Sequence, residues 1–85
     1  MLRLTVLEEC TTAAGPVFRL RFDADDFARA LLAFKQALPL DQRQWLEAER
    51  LWEVPATEQT QRVLASLFTD FARKLHELRS QLRLL

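Results

Sequence analysis

From Leu64 to the last residue, apolar side chains recur at Leu64, Phe68, Phe71, Leu75, Leu78, Leu82 and Leu85, with spacing that alternates four and three throughout. Only an α-helix places residues so spaced on one face, and the alternation is the a/d pattern of a heptad seam. Pro55 and Thr57 mark where such a helix begins: Thr57 suits the N-cap, and Glu58 complements the helix dipole in the first turn. The pattern predicts a single helix from about Glu58 to the C-terminus, roughly 40 Å long at 1.5 Å rise per residue.

What precedes it reads as strands and one shorter helix. Leu2, Leu4 and Val6 alternate with Arg3 and Thr5. After the turn Ala13-Ala14-Gly15-Pro16, Phe18, Leu20 and Phe22 alternate with Val17, Arg19 and Arg21. This is a β-hairpin whose even-numbered residues face the core. Asp23 or Asp25 can cap the next helix, where Phe27, Leu31, Phe34 and Leu38 recur at helical spacing until Pro39 stops it. Between Gln42 and Val54 two tryptophans flank a polar stretch. A second short hairpin is expected there, with Trp52 and Val54 on one face, Glu53 turned out and Trp45 across the turn; the good helix formers from Gln44 to Trp52 make a helix the competing reading. The expected fold is α+β, ββαββα, with the helices on one face of an antiparallel sheet and residues 1–85 forming one domain.

A 40 Å helix is too long for this sheet, because strands of five to seven residues span only about 17 to 24 Å. Val63, Leu64, Leu67, Phe68 and Phe71 can pack on the domain, which leaves Leu75, Leu78, Leu82 and Leu85 with nothing beneath them. Burying four leucines contributes on the order of 6 to 10 kcal/mol before entropy costs. Residues 72–85 are therefore expected to serve assembly, as a homodimer or with a partner protein; coverage by the first helix or by loops of the chain is the alternative.

The chemistry available is limited. Lys and Arg number 12, balanced by 12 Asp and Glu, so nucleic-acid contact, if any, must be local. Arg3, Arg19 and Arg21, with Thr5 and Arg50, are expected on the open face of the sheet as candidate phosphate contacts, and the tail is basic through Arg73, Lys74, Arg79 and Arg83. Alternating polar residues on a solvated face explain the same arginines without a ligand. The single glycine, Gly15, excludes a phosphate loop. Cys10 and His76 are each the only residue of their type, and no nucleophile is placed to use His76. Asp23, Asp25 and Asp26 read as capping residues and Glu47, Glu49 and Glu53 as a solvated turn, so no catalytic site, metal or cofactor is expected. Apolar runs are too short to span a bilayer and no signal-peptide core is present, which points to a cytoplasmic protein without membrane contact.

One stretch carries a family resemblance. Arg43-Gln44-Trp45, a short turn, then Trp52-Glu53-Val54-Pro55 resembles the HARP-type module attached to annealing helicases and related DNA-processing proteins, over about residues 17–68. The resemblance implies a strand, helix, hairpin, helix platform used near DNA as an accessory to a motor. Leu40-Asp41 departs from that family, which usually has a glycine or basic residue before the Arg-Trp strand, and 85 residues hold no helicase core. The function expected is a non-enzymatic interaction module that self-associates and contacts nucleic acid; the alternative is a protein-protein adaptor without a nucleic-acid role.

Overall fold

The computed structural model describes residues 2–83, with side-chain surroundings described as far as Gln81. Strands β1 (Arg3–Thr12) and β2 (Gly15–Asp23) form the first hairpin. Helix α1 (Phe27–Ala37) and a 3-10 turn (Leu40–Gln42) lead to a second hairpin, β3 (Gln44–Leu46) and β4 (Leu51–Pro55). Two helices follow, α2 (Glu58–Leu67) and α3 (Phe71–Arg83). The four strands make one antiparallel sheet in the order β1-β2-β4-β3. The α+β class and the helices on one face agree with the sequence reading.

The first turn is a two-residue connection closed by Thr12, whose hydroxyl donates to the Gly15 carbonyl and accepts from the Ala14 N–H. Gly15 has φ +121°, a conformation that L side chains rarely adopt, which is why the glycine stands there. Asp26 caps α1, accepting from the Arg29 N–H. This corrects the expectation of Asp23 or Asp25: Asp23 accepts from the Ala24 N–H, and Asp25 faces Arg3 at 3.9 Å. Thr57 caps α2 as expected, accepting from Thr60 N–H at 3.1 Å.

On the covered face, Leu4, Phe18, Leu20, Phe22 and Val54 pack with Ala30, Phe34 and Leu38 beside α1 and with Leu64, Phe68, Phe71 and Leu75 of the C-terminal half. One expectation within β1 fails. The register with β2 shifts between Leu4 and Val6, so Val6 lies opposite Arg21 and Leu7 opposite Leu20. A bulge adds one residue to one strand and so exchanges its faces beyond that point. Leu7 takes the core-side place foreseen for Val6, and Glu9 follows it opposite Phe18.

The larger correction concerns the C-terminus. The helix is not continuous: α2 ends at Leu67, Phe68 is extended (φ −116°, ψ 115°), and α3 restarts at Phe71. No proline or glycine causes this. Phe68 turns into the core against Phe22, with ring centroids 5.4 Å apart, and Phe71 meets Phe18 edge-on at 5.7 Å. The Asp70 carboxylate accepts the Leu4 N–H at 3.3 and 3.4 Å. At the far end, Arg79 donates two hydrogen bonds to the Glu9 carboxylate, 3.1 and 3.2 Å. That bond raises the Arg79 pKa further above its ordinary value. The break lets α3 fold back along β1 instead of running past the sheet.

Leu75 consequently has a floor. It is only 8% exposed within the chain's own core, and Leu78 packs partly against that core. Leu85 and the Leu82 side chain lie outside the described residues. The expectation that nothing sits beneath the stripe from Leu75 onward fails for these two leucines, because the turn at 68–70 shortens the reach of α2.

Candidate functional site: an aromatic cleft beside the tryptophan hairpin

The arginines foreseen on the open face are there but not as an unopposed basic patch. Arg19 lies across from Glu8 on β1 and Glu53 on β4, and its Nε donates to Glu53 Oε2 at 3.0 Å. That hydrogen bond is the main cause of a raised Arg19 pKa. Arg3 sits opposite Asp23 and near Asp25. Arg21 donates from Nε to the Arg50 carbonyl and from Nη2 to the Glu49 carbonyl, 3.0 Å each, clasping the β3-β4 turn. Arg50 occupies that turn at φ 55°. Arg19 is thus paired with Glu53 and Arg3 faces two aspartates at the surface, while Arg21 and Arg50 are drawn together at the β3-β4 turn.

The tryptophan motif sorts into structural and free parts. Arg43 Nη1 donates to the Leu38 carbonyl and, at 3.3 Å, to the Lys35 carbonyl, satisfying acceptors at the end of α1 that the helix leaves open. Val54 is core, and Pro55 ends β4 opposite Val17. Trp52 packs on Phe34 at 5.1 Å and on Trp45 at 5.1 Å. Trp45 has one neighbour ring and keeps 42% of its surface exposed. Its indole N–H donates to the Glu47 carboxylate, so the exposed ring has no unmet polar demand.

Trp45 is the outer end of an aromatic ladder. From it, rings in contact run through Trp52 and Phe34 to Phe22, and Phe22 stacks with Phe27 at 5.6 Å. Phe27, the first residue of α1, remains 47% exposed. Between the start of α1 and the second hairpin the two exposed rings bound an open cleft of about 880 Å³. Its floor is Phe22, Leu31 and Trp52; its rim carries Arg21, Lys35 and Arg50 against Glu47 alone. Lys35 and Arg50 enter no ion pair among the described residues. The volume suits a ligand of several rings' size, and the cleft offers stacking faces with an excess of cations.

Sequence reasoning placed Arg21 and Arg50 in a candidate site and missed Phe27, Leu31 and Lys35. Phe27 read as core because it starts the apolar stripe of α1, yet its ring stacks on Phe22 from outside and stays 47% exposed. The signal available was the grouping of Phe27, Leu31 and Lys35 at four-residue spacing, which puts a cation on the same face as two apolar residues.

Among the described residues no group of three or more His, Cys, Asp and Glu could hold a metal ion, and no helix is long and apolar enough to cross a membrane. Compared with protein-family models, curated proteins and solved structures, the chain has no match.

Proposed function

We propose that this protein is a non-enzymatic nucleic-acid-binding module, an accessory in DNA transactions, that takes unpaired bases into the cleft between α1 and the tryptophan hairpin. The observation that carries the reading is Trp45: it is the motif aromatic that the core does not enclose, and it stands beside Arg50, Arg21 and Lys35. Base stacking on an aromatic side chain is worth about 1–3 kcal/mol per base and tolerates any sequence, while flanking cations hold the backbone. The resemblance of the Arg-x-Trp and Trp-x-Val-Pro segments to a module found near DNA supports the same reading. Single strands suit it better than duplex, since a paired base keeps its faces stacked inside the helix.

The test is fluorescence anisotropy with a labelled oligothymidine. Binding should weaken as salt rises, with a slope reflecting two or three phosphate contacts, and should fall at least tenfold on Trp45→Ala. Arg19→Glu should change it much less than Arg50→Glu, because Glu53 already neutralises Arg19. Absent binding, or binding indifferent to Trp45 and salt, would sink the nucleic-acid reading. The apolar floor of the cleft would then favour the adaptor reading, in which an acidic peptide with an apolar anchor occupies it.

A further inference from the structure

The turn that separates α2 from α3 contains no helix breaker. Across residues 65–75, Ala-Ser-Leu-Phe-Thr-Asp-Phe-Ala-Arg-Lys-Leu, there is no glycine or proline. The apolar spacing passes through it in phase, from Leu64 to Phe68, Phe71 and Leu75 in steps of four, three and four. Phe68, Thr69 and Asp70 are weaker helix formers and Asp70 suits the N-cap of α3, but no breaker residue interrupts the apolar stripe here.

The stop comes from distant contacts. Asp70 accepts the Leu4 N–H, Phe71 meets Phe18, Leu75 enters the core and Arg79 holds Glu9. The Asp70, Phe71 and Arg79 contacts each join the α3 arm to β1 or β2. They are directed at the sheet, and a second copy's α3 can make them with the same geometry.

We propose that two copies of this chain assemble by exchanging α3, the Phe68–Asp70 turn straightening so that α2 and α3 form one helix and each α3 docks on the other copy's β1. Straightening adds backbone hydrogen bonds that the turn forgoes, and exchange preserves the docking contacts, so the dimer differs from the folded monomer mainly at the hinge. Short connections between packed elements are where exchange of this kind arises. The heptad phase that survives the break is then the register of the straightened helix. This assembly is independent of what the cleft binds.

The test rests on Thr69, which is exposed and occupies the second position of the turn closed by the Phe71 N–H and the Phe68 carbonyl at 3.2 Å. Proline is favoured at that position, and Phe68 already has the extended backbone that a following proline demands. Thr69→Pro should therefore fold as a monomer with an undiminished melting temperature, yet weaken dimerisation on the order of a hundredfold per chain, because proline inside the straightened helix breaks it. Thr69→Ala should shift the equilibrium the other way. Sedimentation after refolding at high protein concentration reads both.

A second measurement separates exchange from simple surface pairing. In Arg79→Lys, a carbodiimide activates the Glu9 carboxyl, and the lysine amine displaces the urea to leave an amide. That amide should join two chains in the dimer fraction, doubling the mass on a denaturing gel, and should stay within one chain in Thr69→Pro carrying the same change. A wild-type chain that remains monomeric, a Thr69→Pro chain that dimerises as well as wild type, or a dimer whose amide lies within single chains would each overturn the proposal.

Discussion

Replacing Leu75 with alanine tests whether α3 packs on the sheet of this domain at all. Leu75 is almost fully enclosed, in the cluster that includes Phe18 and Phe71. Truncating a buried leucine costs about 2–5 kcal/mol, the range reflecting how far the surroundings collapse. Leu75 lies on α3 at the margin of the core, 8% exposed, so the lower part applies, about 2–3 kcal/mol. A domain of this size has a total stability of only about 4–13 kcal/mol. With a urea dependence of about 1–1.5 kcal/mol per molar, the midpoint should fall by about 2 M. Urea titration followed by tryptophan fluorescence reads this directly, since Trp52 lies inside the aromatic ladder. Leu32, on the outer side of α1 and 57% exposed, is the control: Leu32→Ala should stay within about 0.5 kcal/mol of wild type. If the two variants lose equal stability, α3 does not dock as described and the account of the helix break fails with it.

Other expectations follow from single contacts. Asp70→Ala strips the acceptor from the Leu4 N–H and should cost about 1–2 kcal/mol, with faster hydrogen exchange at Leu4 as the specific signature. Gly15→Ala meets open space but a forbidden backbone, so it should destabilise by about 1 kcal/mol or more through conformation alone, measured by thermal melting. A double-mutant cycle on Arg19 and Glu53 should return a small favourable coupling that diminishes with salt, as befits a partly solvated pair. Trp45→Ala should lower stability by only about 1 kcal/mol, because the residue keeps 42% of its surface exposed and Trp52 is its one ring neighbour, so its larger effect falls on binding.

The parts of the fold readable in the sequence were those set by local pattern. Alternation around Gly15, the Thr57 cap and the Trp-x-Val-Pro strand each carry their own signal. Two failures share a cause. The bulge between Leu4 and Val6 exchanges the faces of β1, and the break at Phe68 divides a continuous heptad stripe; in both places one irregular stretch of backbone interrupts a period that the sequence pattern carries through. Leu75 read as uncovered only because α2 and α3 read as one rod. The candidate site was half legible. Arg21 and Arg50 stood out by charge, but cross-strand register decides which arginines are neutralised, and register between β2 and β4 is invisible before the sheet is known. Trp45 and Trp52 look alike in sequence, and their difference arises because β3 is the edge strand.

The most direct test of the central claim is a nitrogen–proton correlation spectrum of the protein titrated with unlabelled oligothymidine. The account predicts that the Trp45 indole N–H and the amides of Phe27, Leu31 and Arg50 shift together, while those of Glu8, Cys10 and Arg19 on the open face of the sheet stay in place. Shifts confined to the open face, or no shifts at all, would contradict it.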